Sequence, residues 1–138
     1  EGSVAFNAAA NISDGMSEGL KGIVDEMKEL KSLAPVNEAE SSEYLAKWLD
    51  ADSRFHGILF RAAGNSRSRQ VISRLNIQWH RLKVGLAAME GRIGYAIPEH
   101  EAIARAVIRK DAEAARREMV DHLENLKRYI IKLMDIFS

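Results

Sequence analysis

The sequence predicts an all-α fold, an antiparallel bundle of about six helices. Only 2 prolines occur in 138 residues, and the strict polar and apolar alternation that indicates strands is almost absent. Apolar residues recur instead at spacings of three and four, which is the period of an amphipathic helix. A chain of this length forms one domain that buries about two-thirds of its unfolded surface. We therefore expect a single domain over residues 1–138.

Three helices are predicted in the first half of the chain. The Ala-rich segment SVAFNAAANI predicts a short helix, truncated or frayed. A second helix follows, and its apolar stripe consists of Leu20, Ile23, Met27, Leu30 and Leu33. Pro35 ends that helix, and Asn37 with Glu40 has the spacing of a capping box. The third helix is expected from about Glu38 to Ala63, because Gly64 suits the left-handed position that follows a helix.

A long fourth helix is predicted after Ser66, which can cap its first turn. Its stripe has heptad-like spacing that favours near-antiparallel packing and consists of Val71, Leu75, Trp79, Leu82, Leu86 and Met89. The segment EGRIGYAIPEH is expected to interrupt the helical pattern.

A fifth helix is expected to begin at Pro98, because the first position of a helix needs no N–H donor. His100 would then lie in the first turn, where Glu99 and Glu101 interact favourably with the helix dipole. Asp111 is the predicted cap of a sixth helix that extends to the end of the chain.

Composition excludes several classes of protein. The 20 basic and 20 acidic residues cancel, so no overall field favours nucleic acid or an anionic membrane. Cysteine is absent, which excludes disulfides and thiolate metal sites and fits a reducing, cytoplasmic location. No apolar run approaches the roughly 18 residues of a membrane-spanning helix. The chain begins at Glu1, within a helical pattern, so we expect it to be a piece of a longer protein.

Four polar residues could form a metal site. Asp52 and His56 are four residues apart, which places both side chains on one helix face. His100 and His122 lie on two other predicted helices, next to apolar positions. One carboxylate and three imidazoles suit Zn, Ni, Mn or Fe(II) and leave positions open for water or a ligand's carboxylate. The spacing by itself is more typical of a local ion pair and of hydrogen-bonded core histidines than of a metal site.

Two longer motifs resemble a known family. The segment at 52–65 reads DSRFHGILFRAAGN, and the segment at 99–123 reads EHEAIARAVIRKDAEAARREMVDHL. Both resemble the effector-binding domain (FCD, FadR C-terminal type) of GntR-family transcription regulators. The opening FNAAANISDGMSEGLKGIVDEMKEL resembles the family's first two helices more loosely.

The resemblance implies a divalent transition metal, because metal-binding members coordinate one ion through residues that match Asp52, His56, His100 and His122. Members that lack the histidines bind acyl-CoA instead. A small organic acid would replace water on this metal. Its far end would meet a second group, for which Arg81 is the first candidate because a guanidinium pairs bidentately with a carboxylate. The weaker candidates for ligand binding are Arg74, Gln78, Asn65 and Arg92. Arg74 and Arg81 fit the solvated face of an amphipathic helix equally well.

The resemblance further implies a homodimeric sensor that acts on DNA only through a winged helix-turn-helix domain upstream of Glu1. The expected partners are therefore a small carboxylate effector and a second copy of the chain, with no membrane. We do not expect an enzyme, since no further residue has the spacing of a dedicated general base. The alternatives are a metal-dependent hydrolase-like enzyme, or a bundle with a purely structural metal.

Overall fold

The computed structural model describes residues 2–32, 38–64 and 92–137, which form five helices and no strand. They are α1 (Gly2–Asn11), α2 (Asp14–Ser32), α3 (Glu38–Ala63), α4 (Arg92–Ile108) and α5 (Ala112–Phe137). The all-α prediction is confirmed for these residues. The predicted fourth helix, after Ser66, lies outside them. No described helix is long and apolar enough to span a membrane.

Local hydrogen bonds explain where several helices begin and end. The Ser13 hydroxyl accepts a hydrogen bond from the backbone N–H of Met16 (3.2 Å) and so caps α2. Asp111 does the same for α5 through the backbone N–H of Ala114 (3.1 Å), as the sequence predicted. Gly64 follows α3 with a φ of 72°, the left-handed conformation expected of it.

The first helix packs at the centre of the bundle and not as a frayed end. It contacts α3, α4 and α5, and Ala5, Ala8 and Ala9 on its inner face are fully buried. Alanine side chains are small enough to allow close approach of neighbouring helices and carry the highest helix propensity. Tertiary packing therefore stabilises this short segment over Gly2–Asn11, and the expectation that it frays was wrong.

The start of α4 also differs from the prediction. Pro98 lies inside the helix, which begins at Arg92, so His100 is in its middle and not in its first turn. An internal proline removes one backbone hydrogen bond and costs about 3 kcal/mol. Burial of Ile93, Ala96 and Ile97 in the core offsets that cost.

Candidate metal centre

The inner face of α3 supplies two of the polar residues. Asp52 and His56 lie one turn apart and are both buried. Phe55 and Leu59, on the same side of the helix, are almost completely inaccessible to solvent. The apolar residues that drive α3 into the core thus carry the carboxylate and the imidazole with them.

The other two histidines come from the last two helices. His100 on α4 is 1% exposed and His122 on α5 is 5% exposed. Ile103 and Val107 bury the same face of α4 as His100, and Met119 precedes His122 by one turn on α5. The four predicted residues therefore meet in the core between three helices, although they are separated by up to 70 positions in sequence.

The histidine side chains face one another. One ring nitrogen from each of His56, His100 and His122 lies within 4.8 Å of the other two. The ring centroids of His100 and His122 are 4.6 Å apart, and those of His56 and His100 are 5.5 Å apart. Nitrogen atoms at these separations can reach a common centre.

The Asp52 carboxylate joins this cluster through one oxygen. Its Oδ1 lies 2.8 Å from Nε2 of His100 and 3.4 Å from Nε2 of His56. Two ligand atoms bound to one ion at about 2.0–2.1 Å are roughly 2.9–3.4 Å apart for bond angles between 90° and 109°. The spacing of these three atoms is thus close to that of ligands around one metal ion.

The hydrogen bonding of His100 also fits a metal site. Its Nδ1 donates to the backbone carbonyl of Ala96 (2.7 Å), which places the lone pair of a neutral ring on Nε2. That Nε2 faces Asp52, whose ionised carboxylate only accepts hydrogen bonds. These two lone pairs need a shared proton or a shared metal ion, and their nitrogen and oxygen donors suit a divalent cation.

The His122 ring is held by a residue that sequence reasoning had not assigned to the site. Its Nδ1 lies 2.6 Å from Oε1 of Glu99, and the other oxygen of Glu99 accepts a hydrogen bond from Asn125 (3.1 Å). The sequence predicts Glu99 in the first turn of a helix, near the helix dipole, but in the structure it lies in the middle of α4. Its position directly before His100 was visible in the sequence, whereas the partner on α5 was not.

Electrostatics favour the neutral form of His122. Burial lowers the pKa of His122, and the nearby His100 and His56 lower it further. The hydrogen bond to Glu99 opposes this and favours the protonated ring. Burial is the largest of these effects, so the ring is kept in the form that can bind a metal.

Aromatic rings form the wall behind the cluster. The Phe55 ring lies edge to face with His100 and with His56, at centroid distances of 4.7 and 5.5 Å. Trp48 meets His100 in the same way at 5.4 Å. These contacts restrict the rotation of the imidazoles and exclude water from one side of the site.

The predicted effector contacts are outside the part of the chain whose side chains the structure describes. This applies to Arg81, Arg74, Gln78, Asn65 and Arg92. They remain predictions.

The sequence matches a known protein family. The model of the FCD domain matches residues 1–125, which is most of the chain. No curated protein matches the sequence significantly.

Proposed function

The chain belongs to the FCD domain family, and from this membership we propose that it senses a small organic acid at a divalent metal held by Asp52, His56, His100 and His122. FCD domains are the C-terminal effector-binding domains of GntR-family transcription regulators. They are regulatory, ligand-sensing domains rather than catalytic ones. The proposal therefore adds the metal and the class of effector to what the family establishes.

The buried cluster of three histidines supports the metal most directly. Ionisable side chains are rarely buried unless they are paired or bind a metal. Here three imidazoles and a carboxylate meet in a core whose other buried side chains, among the described residues, are apolar. When bound, a divalent ion would supply a Lewis-acidic anchor for an anionic ligand.

The ligand set supports a carboxylate as the class of effector. Four protein ligands of nitrogen and oxygen type leave room for further oxygen ligands on a metal that prefers five or six positions. A small carboxylate supplies such oxygens. The identity of the ion depends on metal supply as well as on ligand type, so Zn, Ni, Mn and Fe all belong to the proposal.

In the full-length regulator, we propose that this domain acts in the cytoplasm, forms a homodimer and carries a winged helix-turn-helix domain upstream. Effector binding would change the packing of the helices and with it the spacing of two DNA-binding domains. Coupling free energies of this kind are typically about 1–3 kcal/mol. About 70 upstream residues with a winged-helix pattern would separate this role from that of a metal-dependent hydrolase.

Elemental analysis of the untagged domain, purified without chelator, tests the proposal. We expect about one equivalent of a transition metal in the wild type and none in the Asp52→Ala/His100→Ala variant. Asp50→Ala is the matched control, because Asp50 lies on the exposed face of α3 and pairs with Arg54 (2.9 Å). Circular dichroism establishes that each variant is folded.

Two results would contradict the metal site: metal absent from the wild type and not taken up on addition, or metal retained by the double variant. If the wild type binds metal, thermal shifts with a panel of mono-, di- and tricarboxylates then test the effector class. A filled structural site would show metal binding without any carboxylate-dependent shift.

A further inference from the structure

We infer that Glu99 is the positioning residue of the metal site, acting through His122, and that Asn125 holds Glu99 in place. This inference rests on the proposed metal site and extends it to two residues that are not ligands. In this inference, Glu99 and Asn125 raise the affinity of the site for the metal without binding it.

The contact between Glu99 and His122 fixes which nitrogen can bind a metal. The carboxylate of Glu99 lies 2.6 Å from Nδ1 of His122. Because an ionised carboxylate only accepts, Nδ1 carries the proton and the lone pair is left on Nε2. Nδ1 is thereby excluded as a ligand atom, which leaves Nε2 as the nitrogen of this ring that could bind a metal.

The same contact changes the chemistry of the ring. A carboxylate that accepts the Nδ1 proton makes the opposite nitrogen more electron-rich and therefore a better ligand. The short bond lies in a partly buried environment, with 7% of the His122 side chain and 17% of the Glu99 side chain exposed. Such an environment strengthens a charge-assisted hydrogen bond relative to one in water.

Asn125 completes the arrangement on the solvent side. It donates from Nδ2 to Oε2 of Glu99 (3.1 Å), while Oε1 is turned to His122. Asn125 follows His122 by three residues, so both side chains lie on the same face of α5. One carboxylate from α4 is therefore held by two side chains from α5, and its orientation depends on how these helices pack.

His100, which lies on α4, has a different partner. His100 donates to the backbone carbonyl of Ala96 within its own helix. A substitution of the Ala96 side chain would leave that carbonyl in place. His122 relies instead on a side chain from a neighbouring helix. The affinity of the site can thus be altered at Glu99 without changing a ligand.

Metal titration of Glu99→Gln, Glu99→Ala and Asn125→Ala tests the inference, with Zn²⁺ competed against a chromophoric chelator. Partners of metal-bound histidines typically contribute about 10–100-fold to affinity. We expect Kd to rise about tenfold in Glu99→Gln, which keeps an acceptor but loses the charge, and more in Glu99→Ala. Asn125→Ala should have the smallest effect.

Glu101→Gln is the matched control. Glu101 lies two residues further along α4 and pairs with Lys28 (3.1 Å) and Arg105 (2.6 Å), away from the histidines. Its substitution should leave the Kd for Zn²⁺ unchanged. A general effect of losing an acidic residue from α4 would appear in this variant as well.

A double-mutant cycle with His122→Ala separates positioning from support of the bundle. If Glu99 acts through His122, Glu99→Gln should not weaken Zn²⁺ binding further in the His122→Ala background. The visible spectrum of bound Co²⁺ should also change in Glu99→Gln, since it reports the ligand field directly. A merely structural role would lower the melting temperature and leave both readouts as in the wild type.

Different results would overturn the proposed metal site and the positioning role of Glu99. A wild-type domain that binds neither Zn²⁺ nor Co²⁺ would overturn the proposed metal site. Wild-type binding with an unchanged Kd and Co²⁺ spectrum in the Glu99 variants would leave the site intact and overturn the positioning role alone.

Discussion

At the scale of single residues, Phe55 is the principal apolar support of the histidine cluster. It is completely buried, and its ring lies edge to face with both His100 and His56. The side chain therefore belongs at once to the hydrophobic core and to the wall of the candidate metal centre. Its removal should affect stability and metal binding together.

We expect Phe55→Ala to lower the free energy of unfolding by about 3–5 kcal/mol, because it leaves a cavity in a close-packed core. Metal affinity should fall as well, since the two imidazoles lose the surface against which they are held. Urea denaturation and Zn²⁺ titration measure the two effects. Tyr95→Ala is the control, because Tyr95 is 73% exposed and its loss should change stability by no more than about 0.5 kcal/mol. Equal effects in the two variants would contradict the argument.

Residue-scale prediction succeeded where the relevant geometry is local or carried by a motif. Asp52 and His56 share a face because a helix repeats every 3.6 residues, and the sequence alone contains that fact. The meeting of these residues with His100 and His122 was implied by the family resemblance and is what the structure contains. The contact of Glu99 with His122 spans 23 residues and depends on the packing of α4 against α5. The periodicity of a single helix cannot predict a contact between side chains of two different helices.

At the scale of helices, capping residues predict helix ends more reliably than a proline predicts where a helix begins. Asp111 and Gly64 were assigned correctly, because a cap or a left-handed glycine acts through bonds within a few residues. Pro98 was misassigned as a helix start. The proline by itself favours the first turn, but burial of the preceding turn, a tertiary effect, outweighs that preference.

Substitution of two glycines by alanine should change the free energy of unfolding in opposite directions. Gly22 is exposed within α2, and a Cβ added there would contact nothing within 4 Å. Gly22→Ala should raise the free energy of unfolding by about 0.5–1 kcal/mol, because alanine loses less backbone entropy on folding. Gly64 has open space but a φ of +72°. Gly64→Ala should therefore lower the free energy of unfolding by about 1–2 kcal/mol through the left-handed backbone alone.

Thermal and urea denaturation of the two glycine variants provide the comparison, with metal removed by chelator so that binding does not contribute. A loss of stability in both variants would mean that α2 needs flexibility at Gly22. A gain in both would mean that the end of α3 relaxes to another conformation.

At the scale of the whole molecule, the candidate site lies where three helices meet. Asp52 and His56 belong to α3, His100 to α4 and His122 to α5, while α1 packs against all three. The domain contains no cysteine, so no disulfide links its helices. An ion at this junction would therefore link most of the described bundle, and effector binding there could be transmitted to several helices at once.

Metal should accordingly stabilise the domain as a unit. A ligand that binds only the folded state contributes about 2.7 kcal/mol at a concentration of 100 times Kd. For a domain of this size that corresponds to an increase in Tm of about 10 °C, with a further increase at higher concentrations. Differential scanning calorimetry of the chelator-treated domain, with and without added Zn²⁺, measures the shift. The Asp52→Ala/His100→Ala variant should show no shift, and an equal shift there would mean that the ion stabilises the fold from another position.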